Sequence, residues 1–328
     1  MFTRIFIDPG TRKLRGLWRV VVFLLLSPLA LNVLGAASQE GASSQFKIDA
    51  GMILNYAFLV AWSLAASWIC LRFLDQLSFA SLGVAFHRGW WREALLGLAV
   101  SALMIGVVVI LQEVGGGMRL MLNPLFWKAA GNGRTVDAVG LGMVAARMLP
   151  VTLLLVLAGA FEELLFRGYA FQTLAREVSP VVPLLLFSVF FGVMHWENPS
   201  RTFFSTVNTV LAGVWLAVAY LKTRALWFPI GLHIGWNWTM GVGFGLPVSG
   251  FKMTPSPVLM ATSGSPTWLT GGDYGSEGGA AATLVLIAAT LLIWRAGWLR
   301  AAPAAGRAQG APEADPEAAL KLGLKQTD

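Results

Sequence analysis

Residues 150–176, PVTLLLVLAGAFEELLFRGYAFQTLAR, decide what kind of fold this chain can adopt. From Val151 to Phe161 the only polar side chain is Thr152, and two adjacent carboxylates, Glu162 and Glu163, then interrupt apolar sequence. An apolar run of ~20 residues is long enough to cross a bilayer. Within such a run an ionisable side chain is costly, so its presence calls for a functional explanation. The stretch reads as one helix from Pro150 to Arg176, with Pro150 in the first turn, where its missing N–H is not needed. The preceding apolar piece, Val139 to Leu149, reads as an interfacial lead-in.

The rest of the chain has the same character. Of its 328 residues, 56% are hydrophobic and 12% charged, about half the charged share of an ordinary soluble domain. Apolar runs recur at 17–36, 52–74, 94–112, 150–176, 181–196, 204–221, 225–246 and 281–299. The expected fold is therefore an all-α, polytopic transmembrane bundle of about eight spans. Residues 1–300 form one membrane domain in this reading, with 301–328 a disordered cytoplasmic tail. The Gly-, Ser- and Pro-rich segment from Leu246 to Ala280 is also expected to be poorly ordered. The basic start of the chain and Leu17 to Gly35 are read as a retained first helix rather than a cleaved signal.

The net charge of +7 does not imply nucleic acid, because Lys and Arg are scattered at the ends of apolar runs. They fit membrane orientation better. With the N-terminus inside, Arg4, Arg12, Lys13, Arg15 and Arg19, then Arg72, Arg88 and Arg92, then Arg176, Lys222, Arg224, Arg300 and Arg307 all fall on the cytoplasmic side. Arg119, Lys128 and Arg134 go against the pattern, which makes 112–150 the least determined part of the topology. The expected location is a cell membrane, of a bacterial inner-membrane type, with both termini cytoplasmic. His87 to Glu93, with Trp90 and Trp91 beside Arg88 and Arg92, reads as a headgroup-level anchor. Cys70, the only cysteine, excludes an intrachain disulfide and a cysteine-rich metal cage.

Ionisable or strongly polar side chains enter the apolar runs in three further places besides Glu162. Glu163 and Arg167 are four apart on one helix face and can pair, while Glu162 points about 100° away and is left free to act as a base. His195 closes the helix that starts near Pro183. His233 and Asn237 lie one turn apart on the next-but-one apolar run and face the same way. Each piece alone has a structural explanation, since a lone intramembrane His is more often a packed core residue and a Glu–Arg pair is as often structural. Their joint occurrence in register favours a site.

The series Glu162-Glu163-x-x-x-Arg167, Phe191-x-x-x-His195 and His233-x-x-x-Asn237 resembles the three-part signature of the CPBP family, the CAAX prenyl proteases and bacteriocin-processing (ABI) enzymes. The match is specific across about 160–240, with a signature core at 150–246. The resemblance implies an intramembrane endopeptidase acting on a membrane-anchored peptide or protein, prenylated or carrying a leader peptide. It implies that Glu162 activates the attacking water with His195, that Glu163 and Arg167 brace the site, and that His233 and Asn237 stabilise the oxyanion.

Metal use is left open by the residues. Glu162, His195 and His233 are a chemically sufficient set for zinc, and the family is often described as metalloproteases. There is no H-E-x-x-H helix, however, and a glutamate-activated water needs no ion, so the metal-free mechanism is the expected one. The alternative from another class is a proton-coupled transporter using Glu162, Glu163, His195 and His233 as a relay. Against it, no inverted pair of interrupted spans is visible.

Overall fold

The computed structural model describes residues 3–27, 48–124, 138–254 and 257–299. Among them, nine helices carry the fold: α1 Gly16–Leu26, α2 Ala50–Ile69, α3 Trp90–Val114, α4 Ala138–Phe166, α5 Tyr169–Glu177, α6 Val181–Met194, α7 Phe203–Thr223, α8 Trp227–Trp238 and α9 Ala280–Arg295. π-helical turns extend α2 to Asp75 and α8 to Gly243. A single two-stranded sheet joins β1, Met118–Leu122, to β2, Leu259–Ser263, antiparallel and with Met118 opposite Ser263.

The helical class is as expected, and four of the eight expected spans have the length. Among the described residues, four helical segments are long and apolar enough to cross a membrane: Ala50–Asp75, Trp90–Val114, Gly142–Glu177 and Phe203–Thr223. The described parts of the other four expected spans are shorter as helices. The 14-residue α6 rises only ~21 Å at 1.5 Å per residue, against a hydrocarbon thickness of ~30 Å. The run at 225–246 leaves α-geometry at Thr239 and turns at Gly245, where φ is +68°. The first run stops being helical at Leu26, and residues 28–47 lie outside the described residues. At Thr239 and beyond, apolar composition continues although the α-helix does not.

Pro150 lies inside α4, so Val139–Leu149 is part of that helix rather than a separate lead-in. The helix also ends earlier than expected, at Phe166, and restarts at Tyr169 after a break at Arg167 and Gly168. Large side chains such as Leu54, Leu103 and Leu284 stand 65–70% exposed, as suits helices whose outer faces meet lipid. Contiguous apolar surface of this kind is unusual on a soluble monomer.

Two hydrophobic clusters fill the interior. One joins α1, α2, α4, α5 and α6 through residues such as Phe23, Leu59, Phe161, Phe171 and Phe187. The other joins α3, α7, α8 and α9 through Ile105, Trp215, Leu232, Trp236 and Leu286. Helices α7 and α8 contribute to both, Ala217 and Ile230 to the first and Trp215 and Phe228 to the second, so the two lie along the seam.

At one end of the bundle the starts and ends of several helices meet. Arg19 of α1 pairs with Asp75 and with Glu177, Arg176 reaches Asp75 at 3.9 Å, and Lys13 donates to the Asp75 carbonyl at 2.9 Å. Four of the charges that the orientation argument placed together or beside one another, Lys13, Arg19, Arg176 and the Arg224 turn, are thus gathered at or near this end, since Gly83 accepts from Leu226 N and Gln172 donates to Leu82 O. Trp90, Phe86 and Trp227 stack beside them, with the two indoles 4.6 Å apart.

Helix α8 is pressed against α3 through glycine. A Cβ on Gly231 would stand 2.1 Å from the Ala94 carbonyl oxygen, and one on Gly235 would stand 2.6 Å from the Leu98 carbonyl oxygen and 2.2 Å from Ser101 Oγ. Both obstacles include backbone, so a methyl group can be admitted only by moving the helices apart. Gly231→Ala is expected to destabilise the protein by about 1–3 kcal/mol, as overpacking does, and to shift the helix that carries His233 and Asn237. Thermal unfolding in detergent checks it; a midpoint equal to that of the natural protein would rule out the close contact.

Candidate active site

Glu163 and Arg167, set four apart by the last turn of α4, form the ion pair expected from their spacing, with Arg167 Nη1 2.9 Å from Glu163 Oε1. Both are withdrawn from solvent, at 0% and 1% side-chain exposure. Further hydrogen bonds help to offset the desolvation of such a buried pair, and here they reach Arg167 and Glu163 Oε1, while Glu163 Oε2 has no partner among the described residues. Arg167 Nη2 donates to the Gly213 carbonyl of α7 at 2.9 Å, and the guanidinium lies 5.0 Å from the Phe191 ring centroid. Glu163 Oε1 also receives His233 Nδ1 at 2.9 Å. The pair therefore fixes a third group, the imidazole of α8.

That contact sets the chemistry of His233. With Nδ1–H donating to Glu163, Nε2 is the nitrogen turned toward Glu162, whose Oε2 lies 3.7 Å away. Glu162 is the less buried glutamate, its side chain 24% exposed, and its Oε2 has no hydrogen-bond partner among the described residues. One turn of α4 thus holds a braced carboxylate and an uncommitted one side by side.

His195 sits just past the C-terminus of α6, where its Nδ1 lies 2.7 Å from the Phe191 carbonyl. A carbonyl can only accept, so Nδ1 carries the proton and Nε2 is left as an acceptor. The Phe191 ring packs between the two imidazoles, 4.6 Å from His195 and 6.0 Å from His233.

Glu162, His195, His233 and Asn237 all line one cavity of about 410 Å³. Segments far apart in sequence supply them: the end of α4, the end of α6, and α8. Glu163 and Arg167 stand behind the wall. Sequence reading missed several other wall residues, including Tyr56 on α2, Trp236 on α8, and Ser249 and Glu277 in the segment after α8.

That segment is not disordered as expected. Among its described residues it forms β2, the helical turn Thr267–Thr270 and two 3₁₀ turns. Its order comes from amides on distant helices. Gln112 of α3 donates to the carbonyls of Leu269 and Ser276, and Asn208 of α7 donates to those of Glu277 and Gly279. An amide in an apolar run was the available signal, and only tertiary structure shows what each one holds. Tyr274 packs here, its phenol pushed up to about 12 by burial and by the nearby Glu277 carboxylate, so it stays neutral.

For a metal, the donors would be Glu162, His195 and His233. Among the described residues no group of three or more His, Cys, Asp or Glu side chains is placed to hold an ion. His233 Nδ1 is held by Glu163 and His195 Nδ1 by Phe191 O, which leaves Nε2 of each ring free, the arrangement a metal-ligating histidine also has. The three donors are thus chemically able to bind an ion but are not gathered around one point among the described residues, and no step below runs through a metal.

The fold and the site agree on a class: a membrane-embedded helical protein with an acid–histidine cavity between its helices. Residues 144–239 match a family model described as type II CAAX prenyl endopeptidase Rce1-like. The matched segment contains Glu162, Glu163, Arg167, His195 and His233 with Asn237, and it bears out the CAAX-protease resemblance drawn from the three motifs. No curated protein and no solved structure matches the chain. The general activity of the class is that of an endopeptidase on membrane-associated peptides.

Proposed function

We propose that the chain hydrolyses a peptide bond in a membrane-anchored substrate, prenylated or carrying a leader peptide, by a metal-free mechanism in which Glu162 is the general base. The observation that carries this is the meeting of Glu162, His195, His233 and Asn237 in one cavity, with Glu162 uncommitted and His233 held by the Glu163–Arg167 pair.

In this mechanism a water bound between Glu162 and His195 Nε2 gives a proton to Glu162 as its oxygen attacks the scissile carbonyl carbon. The carbonyl oxygen becomes an oxyanion and is met by Asn237 Nδ2–H and by Nε2–H of His233, which acts here as the imidazolium, its Nδ1–H held by Glu163 and its charge unchanged through the step. Glu162 then returns the proton to the departing amine as the C–N bond breaks. Glu163 and Arg167 touch no reacting atom and act by orienting His233. The end of the bundle that gathers Lys13, Arg19 and Arg176 faces the cytoplasm of a cell membrane, in keeping with the preference of basic residues for that side.

The test is cleavage of membrane-anchored peptides, prenylated and not, by purified protein in detergent, with natural chain and Glu162→Gln each assayed with and without chelator. Cleavage that survives chelator and is lost in Glu162→Gln is expected. Loss in chelator would replace this mechanism by a metal-dependent one, and cleavage of no peptide by the natural chain would favour a proton relay instead.

Asn237→Ala should lower kcat by about 10²–10³-fold, the usual effect of losing one oxyanion donor, with KM little changed. A parallel rise in KM would assign Asn237 to substrate binding.

A further inference from the structure

The cavity wall contains a carboxylate that the mechanism does not use. Glu277 lies in the 3₁₀ turn Ser276–Gly278, which precedes α9. Its Oε1 accepts from Ser249 N at 2.6 Å and from Ser249 Oγ at 2.8 Å, and its Oε2 accepts from Trp236 Nε1 at 3.0 Å. Its turn is held in place by two buried amides. Asn208, 2% exposed, binds the Glu277 and Gly279 carbonyls, and Gln112, 0% exposed, binds Ser276. Five hydrogen bonds from α3, α7, α8 and the turn at Ser249 thus converge on one short turn or its carboxylate.

All the donors to this carboxylate are neutral. They orient its oxygens and leave its charge uncompensated, and among the described residues no Lys, Arg or His forms an ion pair with it. A carboxylate half-withdrawn into a cavity is costly without a cationic partner, and an occupant can supply that partner. Trp236, which holds Oε2, is the neighbour of Asn237 in α8, so this charge lies along the same wall as the oxyanion site.

We propose that Glu277 is a specificity-determining residue: it receives a cationic side chain, Lys or Arg, of the substrate peptide near the bond to be cut. This rests on the proteolytic reading of the cavity and adds a substrate class to it, membrane-anchored peptides with a basic residue beside the scissile bond. The Glu277 oxygens accept hydrogen bonds from the ammonium or guanidinium while Ser249 and Trp236 keep them in place.

The experiment separates the two claims by measuring binding apart from cleavage. Fluorescent membrane-anchored peptides, with Lys, Gln or Glu placed in turn at each position of one backbone, are titrated into Glu162→Gln protein and into Glu162→Gln/Glu277→Gln protein in detergent. In the first protein one Lys position is expected to bind about tenfold more tightly than Gln there, with Glu weaker still, the scale of one partly desolvated charge pair. In the second protein that preference should vanish. Because Glu277→Gln also disturbs the hydrogen bonds to Ser249 and Trp236, Trp236→Phe in the Glu162→Gln background is the companion variant. It removes one of those bonds and keeps the charge, so it should retain the Lys preference. A preference for Lys that persists in Glu277→Gln, its loss in Trp236→Phe, or the absence of charge preference at every position each overturns the proposal. Charge-selective binding without cleavage of any peptide by the natural chain would leave the cationic subsite standing and overturn the proteolytic reading alone.

Discussion

Glu162→Gln is expected to lower kcat for peptide cleavage by about 10²–10⁴-fold, the contribution of a positioned general base, while the protein still folds and binds substrate. The substitution is nearly isosteric, and Glu162 Oε2 makes no hydrogen bond among the described residues whose loss would disturb the helix. His233 Nε2 is 3.7 Å away and the imidazole remains tied to Glu163 on its other side. Glu163→Gln should behave differently. It leaves the base in place and removes the charge that holds both Arg167 and His233, so stability should fall along with rate. Single-turnover cleavage and thermal unfolding of both variants distinguish the two roles. Equal behaviour of the two variants in both assays would show that the glutamates are not divided into base and brace.

How much of this was legible in the sequence depends on the range of each contact. The Glu163–Arg167 pair follows from helical spacing, which is local geometry, and it appears at 2.9 Å. That His195 and His233 reach the same cavity as Glu162 was suggested by their register along separate apolar runs. The bond from His233 to Glu163 was not, because it joins residues 70 apart in the chain. Helix ends were less visible than helices. Apolar sequence runs on through Gly168 and past Thr239, yet the backbone breaks or widens there, so composition suggested more full-length spans than the four that have the length. The segment around Glu277 failed for the opposite reason. Its glycines and serines resemble those of a disordered linker, and the amides that order it, Gln112 and Asn208, lie on α3 and α7. No property of residues 246–280 alone announces that those partners exist.

Arg167→Met should be the most destabilising single change at the site, costing about 3–5 kcal/mol, because it strands a buried carboxylate rather than merely deleting an attraction. Glu163 has no access to solvent in the folded protein, and after the substitution only His233 would remain to balance it. The Gly213 carbonyl of α7 would lose its donor at the same time. If the damage is due to the stranded charge, Glu163→Gln combined with Arg167→Met should recover much of the loss, since neither partner then carries charge. Arg167→Lys separates the remaining contributions. It keeps the charge but has no planar fork to reach Glu163 and Gly213 together, so it should fall between the natural protein and Arg167→Met. Thermal unfolding of the three variants in one detergent gives the ranking. Activity should follow a different order: the double variant, although more stable than Arg167→Met, has no charge to orient His233 and should remain slow. A double variant restored in both stability and turnover would mean that the pair holds the helices together without positioning the imidazole.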